Sequence, residues 1–349
     1  MRPYFVSELS CNHLGSLDRA LQLVDAAANV GANAIKLQTW SEMVISDHVL
    51  TDGPWAGRNL KDLYAEAKTP WEWHETLFER ARHNGIEAFS SVFDLKALAF
   101  LEKIGCPRYK ISSFELVDLE LIRAVAATGK PMIMSTGMAT RSEIQMALDA
   151  AAQCKNLVLL KCSSAYPAPV NELNLSEIPA MAEHFGCGVG FSDHTIGHEA
   201  AVVATALGAT VIEKHLTLSR RDGGPDAGFS VEPGEFYEMV QACKAVAEYL
   251  PDMEPVIVRV KRDDAYIKTM DGMGEPDLGP TESEKPQLNL RRSLYFAKDM
   301  KAGEIVSRGT YTTARPALGL EPYKLPLLIG KTLAHDVEYG KPMQMEDFQ

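Results

Sequence analysis

The first 250 residues of this 349-residue chain alternate short β-branched or aromatic runs with longer amphipathic stretches, and they do so eight times. The candidate strands are Tyr4–Leu9, Asn33–Gln38, Ile86–Ser91, Arg108–Ser112, Pro131–Ser135, Leu157–Lys161, Gly188–Ser192 and Thr210–His215. Their shortness and their β-branched content favour strand over buried helix. The stretches between them carry helix ends. Leu17–Val30 places Leu17, Leu21, Val24 and Ala28 on one face and stops at Gly31. Thr69-Pro70-Trp71-Glu72 and Thr140 with Glu143 have capping-box spacing, and Asp94 and Asp118 are N-cap candidates. Eight such units predict a (β/α)₈ TIM barrel. The rival, a doubly wound sheet, wants a glycine-rich turn after its first strand, and SELSCNHLGS contains no GxGxxG. One connection, Thr39 to Lys68, is far longer than the rest, and long loops in compact domains are usually functional.

Periodicity fades from Pro251 to Pro286, where Pro, Asp and Glu accumulate, and a β-rich tail punctuated by Gly303, Gly319, Gly330 and Gly340 follows. The expected organisation is therefore a barrel over 1–250, a linker over 251–289 and a small domain over 290–349. A net charge of −12 argues against nucleic acid or an anionic membrane as the main partner. The 6 cysteines include no C-x-x-C pair, which reads as reduced thiols in the cytoplasm. The start lacks a secretory h-region, and the longest apolar run, Ala200 to Ile212, is too short for a bilayer. The expectation is a soluble cytoplasmic protein.

Barrel chemistry sits where strands end, and these strand ends are rich in polar groups. They carry Glu8, Lys36 with Gln38, Ser90 with Ser91, Lys110 with Ser112 and Ser113, then Ser135, Lys161 with Cys162, Ser192 to His194, and Glu213 to His215. Hydroxyls are common at strand ends, but lysines within apolar runs (AIKLQ, RYKIS) need an anionic partner. Lys36 and Lys110 among serines suit a bound phosphate or carboxylate. Lys161 can equally point outward, since strand positions alternate faces. His194 and His215 close adjacent strands and are either satisfied core histidines or two ligands of one catalytic metal, with Asp193 or Glu213 behind them.

The strings ELSCNHLGSLDRALQLVDAA, GANAIKLQTW, YKISSFE, KPMIMSTGM, GFSDHTIG and IEKHLTL resemble the sialic acid synthase family, whose members condense phosphoenolpyruvate with an amino-sugar aldose. ARPALGL and IGKTLAHDVEYGKPM resemble its C-terminal antifreeze-like (SAF) domain, and the resemblance runs nearly end to end. Within the family, LYAEAKTPWEWHETLFERA, SFELVD, LLKCSSAYPAPVNELNL and RRSLYFAKDMKAGE are more similar to the pseudaminic acid branch. Val92 stands where proline is common, and Ser164 where the N-acetylneuraminate branch has asparagine.

The resemblance implies that Lys36, Ser91, Lys110, Ser113, Ser135 and Ser192 bind phosphoenolpyruvate. It implies that His194 and His215 hold a divalent metal, usually manganese, with magnesium or cobalt as alternatives. Gln38, Tyr166, Asp226 and Arg315 would face the sugar, with Glu8 and Glu115 beside them. Glu8, Glu115 and Lys110 are the expected catalytic groups, the two carboxylates sharing acid and base roles. On residues alone, Asp226 reads as a turn residue beside Gly223, Gly224 and Pro225, and Arg315 as a surface arginine. The resemblance instead sends Arg315 into a partner's site in a domain-swapped homodimer. Legionaminate or N-acetylneuraminate synthesis by the same chemistry is the nearest alternative activity. A metal-dependent pyruvate aldolase, with Lys161 as a Schiff-base candidate, and a non-catalytic glycan-binding protein are the alternatives of other classes. Trp55, Tyr64 and Trp71 in the long loop offer an apolar surface for the methyl group of a 6-deoxy sugar.

Overall fold

The eight strands close on themselves. A computed structural model describes residues 2–45, 47–249 and 278–349. In it β1 (Tyr4–Glu8), β2 (Ala34–Thr39), β3 (Glu87–Val92) and β4 (Tyr109–Ile111) are followed by β5 (Met132–Ser135), β6 (Leu157–Cys162), β7 (Gly188–Asp193) and β8 (Val211–His215). All pair in parallel and in chain order, and β8 pairs back onto β1, so this is a TIM barrel. Alternation along each strand sends Ile35, Leu37, Ile111 and Leu159 outward into the apolar core beneath the helices, and Lys36, Gln38 and Lys110 inward.

The helices are α1 (Leu17–Asn29), α2 (Leu60–Ala67), α3 (His74–His83), α4 (Leu95–Lys103), α5 (Leu119–Ala126), α6 (Arg141–Ala150), α7 (Glu177–Phe185), α8 (Glu199–Ala206) and α9 (Pro233–Tyr249). Their ends follow local chemistry. Asp94 and Asp118 accept from the Ala97 and Leu121 amides at 2.8 and 3.2 Å, and Thr140 and Glu143 form a reciprocal capping box. Helix α1 buries Ala20, Leu23, Val24 and Ala27, a stripe rotated from the expected one, with Leu17 and Leu21 at its margin. Each fully buried leucine or valine contributes about 1.5–3 kcal/mol. Gly31 follows with φ of 89°, a left-handed turn that glycine takes without a Cβ clash.

The expected capping box at Thr69 does not form. A 3₁₀ turn, Trp71–Trp73, precedes α3, and the buried Thr69 hydroxyl has no hydrogen-bond partner among the described residues. The tighter turn moves the helix start to His74, out of reach of the Thr69 side chain.

The expected linker lies outside the described residues over 251–277; from 278 onward it is ordered against the barrel, with a 3₁₀ turn at Lys285–Leu290. Beyond it, β9 (Ser293–Phe296) and β10 (Tyr311–Ala314) form an antiparallel pair over a separate core that includes Leu294, Phe296, Met300, Leu333 and Met343. This is the small β-domain, and it touches the barrel. Arg315 N–H donates to the Met43 carbonyl at 2.9 Å, and Val44 bridges to Arg315 in the long β2–α3 connection. All six cysteines are free thiols. No helix among the described residues is long and apolar enough to cross a membrane.

Candidate active site

At the C-terminal mouth of the barrel a single cleft gathers residues from all eight strand ends. Strand register sets the neighbours. Glu8 pairs with Lys36 on one side and His215 on the other, Gln38 with Ser91, and Ser91 with Lys110. Lys36 Nζ lies 2.6 Å from Glu8 Oε2 and 3.5 Å from Glu213 Oε1, and donates to Ser91 Oγ at 3.1 Å. Lys110 Nζ donates to Ser135 Oγ at 2.6 Å and lies 3.9 Å from the same Glu213 oxygen, which also accepts from Ser192 Oγ at 3.1 Å. Ser113 lines the same wall and accepts from the Gly137 amide at 3.1 Å.

These are buried charges, and their pKa values follow from that. Burial, reinforced by Glu213 and opposed by Lys36, pushes Glu8 up to about 6. Burial also lowers Lys110, with Glu213 offsetting part of the effect. For Lys36 burial is outweighed by Glu213 and Glu8, and its pKa rises. Burial would raise Glu213 too, but Lys110 and Lys36 hold it below the ordinary carboxylate range. Glu213 is thus the shared counter-ion of the two lysines, rather than a support for the histidines. Asp193 also serves elsewhere: it pairs with Lys214 Nζ at 2.8 Å on the outer face. Lys161 likewise points outward, 2.7 Å from Glu177 of α7, so it is not available as a Schiff-base lysine in the cleft.

His194 and His215 face each other with ring centroids 5.5 Å apart. His194 Nδ1 lies 2.8 Å from the Ser163 carbonyl and so carries a proton; burial would lower its pKa, but Cys162 and that carbonyl outweigh burial and the pKa rises. Burial, together with the positive charge of His194 and Lys36, drives the His215 pKa well down, and its Nδ1 is buried without a hydrogen bond among the described residues. In the neutral forms that metal binding requires, the two imidazoles would each offer a lone pair to a divalent ion. Among the described residues no group of three or more His, Cys, Asp or Glu side chains is arranged as a metal site, so protein ligation would stop at two.

Gln38 Nε2 donates to Glu8 Oε1 at 2.8 Å and to Ser10 Oγ at 2.9 Å. Asp226 turns into the cleft rather than capping its turn; Ser10 Oγ donates to it, and burial raises its pKa. Tyr166 lies against His194, ring centroids 4.4 Å apart, and against Trp55 at 5.4 Å. Trp55, Leu60, Leu63 and Tyr64 come from the long connection after β2, whose helix α2 roofs the cleft. Trp71 does not join them. It stacks on Phe100 at 4.6 Å and donates Nε1 to the Trp40 carbonyl, because the 3₁₀ turn aims it at the barrel side.

Glu115 is the clearest departure from expectation. It is fully buried but does not line the cleft. Its Oε1 accepts from Arg315 at 2.6 Å and Arg292 at 3.0 Å, and Ser112 Oγ donates to Oε2. Burial would raise its pKa, yet the two arginines and Ser112 hold it below the normal range. A carboxylate so held has the geometry of a counter-ion to two arginines. Arg315 does line the cleft, 2 % exposed, over the ring of Phe114 and beside the Tyr64 hydroxyl. It enters the cleft from the small domain, as expected of a sugar-facing arginine there, and not from the surface.

Sequence reasoning assigned nothing to Ser10, Phe229, Leu290, Arg292 or Glu284. Ser10 (φ 48°) signals itself only by its strained backbone. Arg292 lies in a string used for the family resemblance, but its partners are distant in sequence.

Thus a parallel (β/α)₈ barrel with paired lysines, serines and histidines at its mouth, into which a small β-domain sends Arg315, defines a class of enzyme acting on an anionic substrate. The chain belongs to the NeuB family of nonulosonic acid synthases: that family's model matches residues 23–254, and the SAF domain matches residues 291–349. It is 38% identical to the pseudaminic acid synthase of Campylobacter jejuni over 99% of this chain and 96% of that one. It is 37% identical to the pseudaminic acid synthase of Helicobacter pylori, covering 99% and 98%. The solved structure of the Bacillus subtilis spore coat polysaccharide biosynthesis protein SpsE covers 100% of this chain and 95% of its own, at 28% identity and a TM-score of 0.83.

Proposed function

We propose that this enzyme condenses phosphoenolpyruvate and water with 2,4-diacetamido-2,4,6-trideoxy-altrose, releasing phosphate and pseudaminic acid. The observation that carries the reading is the inward pair Lys36 and Lys110, ringed by Ser91, Ser113, Ser135 and Ser192 beside His194 and His215. The choice among sugars rests on the two relatives named pseudaminic acid synthase. It is supported by the apolar roof of Trp55, Leu60, Leu63 and Leu290, which suits a 6-deoxy methyl.

In this reading Lys36, Lys110 and the serines hold the phosphate and carboxylate of phosphoenolpyruvate. Its C3 attacks C1 of the open-chain aldose, forming the C–C bond while the aldehyde oxygen takes a proton. Water then adds at C2, and the tetrahedral adduct loses phosphate by C–O cleavage, leaving the 2-keto acid. The lysines stabilise the charge of the departing phosphate. Glu8, near pKa 6 and bridged to Lys36 and Gln38, is suited to take the proton of the attacking water. Tyr166, Gln38, Asp226 and Arg315 would orient the sugar. His194 and His215 would hold the divalent metal, which supplies Lewis-acid polarisation of the aldehyde when bound. Manganese is the proposed ion, and the working form a homodimer in the cytoplasm.

The test is phosphate release from phosphoenolpyruvate with each of three aldoses, the precursors of pseudaminic, legionaminic and N-acetylneuraminic acid, in manganese and in chelator. Turnover should be fastest with the altrose and lost in chelator. Faster release with either other aldose overturns the sugar assignment, and full activity in chelator overturns the metal assignment.

A further inference from the structure

One buried carboxylate in the mouth of the barrel lies outside the machinery above. Glu284 belongs to the segment entering the small domain and is 1% exposed. Its Oε1 accepts the Met138 amide at 3.0 Å and the Ser164 amide at 2.6 Å, while Oε2 accepts the Thr281 amide at 3.0 Å. Met138 follows β5 and Ser164 follows β6, so one oxygen ties two neighbouring strand-end loops together. Met138 pays for this with φ of 61°, a left-handed backbone that side-chain-bearing residues avoid. Between the two amides lies Gly137, where a Cβ would come 2.2 Å from Ser164 Oγ, 2.8 Å from Ser113 Oγ and 3.2 Å from Glu284 Oε1. The Gly137 amide itself donates to Ser113 Oγ. Ser113 and Ser135 line the lysine-rich wall and flank this junction.

We infer that Glu284 is a positioning residue for the phosphoenolpyruvate-binding wall: it bolts the β5 and β6 loops together from behind, and so makes the set of Ser113 and Ser135 depend on the docked entry segment of the small domain. The inference rests on the proposed assignment of that wall to phosphoenolpyruvate. Glu284 does not line the cleft, so it acts through the loops and not on substrate. A second tie on the same segment provides the control. Ser283 donates through its amide and hydroxyl to Glu172 Oε2 at 3.0 and 2.6 Å, without touching either loop amide.

The experiment compares Glu284→Ala, Glu284→Asp, Glu284→Gln and Glu172→Ala in the full chain. Removing the acceptor leaves two buried donors unpaired, so Ala should raise KM for phosphoenolpyruvate about tenfold with kcat within about threefold. Asp, one methylene too short to reach both amides, should behave like Ala. Gln retains an Oε1 that accepts both loop amides, giving up only the Thr281 contact, and should restore KM to within about threefold of the parent. Glu172→Ala should leave KM unchanged. Hydrogen exchange of the free chain gives a reading independent of any substrate: peptides over 136–142 and 162–167 should exchange faster in Asp and Ala, not in Gln. If Ala fails to fold, Asp against Gln decides. Parent-like KM and exchange in Asp overturn the inference, as does a Glu172→Ala enzyme as impaired as Glu284→Asp. Faster exchange in Asp, with no phosphate release by the parent on any aldose, would instead overturn the function assigned to the wall.

Discussion

Glu115→Gln separates two roles that one buried carboxylate could play. The substitution keeps volume and an acceptor oxygen but removes the charge that faces Arg292 and Arg315, both no more than 2% exposed. At an effective dielectric near 20, each guanidinium–carboxylate attraction at such distances is about 4–6 kcal/mol before desolvation is counted. Burying three charges costs several kcal/mol for each, so the net worth of the cluster is small while it is complete. Deleting the anion they share is different, because two guanidiniums stay buried and repel one another. Breaking a buried pair typically costs about 3–5 kcal/mol, which in a chain this size lowers Tm by roughly 4–7 °C.

The assay is a thermal melt at pH 7.5 together with the pH profile of kcat/KM. As counter-ion, Glu115 yields a variant with a lower Tm, a raised sugar KM through displaced Arg315, and an acid limb of unchanged shape. As proton carrier, it yields a variant with the parent's Tm, a low kcat and one limb missing. The second pattern would refute the reasoning. The pKa direction agrees with the first: a folded-state value depressed by the arginines means this stabilisation is complete above the unfolded value near 4.5 and lost only as pH falls below it.

Three further outcomes follow from the same geometry. Lys110→Ala should cut phosphate release at least about 100-fold, the usual size for one preorganised charge at a departing anion, while far-UV circular dichroism stays unchanged; near-parent turnover removes the lysines from the chemistry. His74 is buried between Thr39 Oγ1, 2.7 Å from its Nε2, and the Pro70 carbonyl, and burial lowers its pKa from 6.5 to about 4. Its neutral form therefore stabilises the fold fully above 6.5 and loses that contribution as pH falls toward 4. Denaturant melts should show the parent losing about 2 kcal/mol more than His74→Gln between pH 7 and pH 5, and equal losses would contradict the assignment. Trp55→Ala should raise the sugar KM with little change in Tm. Trp71→Ala should lower stability by about 2 kcal/mol with parent-like KM, and the reverse pattern would return Trp71 to the cleft.

What was legible in the sequence was what repeats or is local. The eight strands, the caps at Asp94, Asp118 and Thr140, and the inward lysines all follow from period, spacing and the cost of burying a charge. The Thr69 signal failed because capping-box spacing does not distinguish an α-turn from the 3₁₀ turn that forms there. Trp71 failed with it, since the same turn decides where the indole points. Glu115 and Glu213 take partners that the sequence does not indicate, for a different reason. Each is a carboxylate at a strand end, and local sequence is the same for an acid catalyst as for a counter-ion. The difference lies in which cations arrive from elsewhere: Arg292 and Arg315 from 177 and 200 residues away for Glu115, and Lys36 and Lys110 for Glu213. A cation within hydrogen-bond distance turns a buried acid into a fixed charge, and Glu8 escapes that fate only in part. Among the described residues Lys36 is its one ion-pair partner, and that lysine is shared with Glu213, so burial still wins and leaves Glu8 near 6. The same sharing that makes Glu213 a poor proton carrier is what keeps Glu8 a good one.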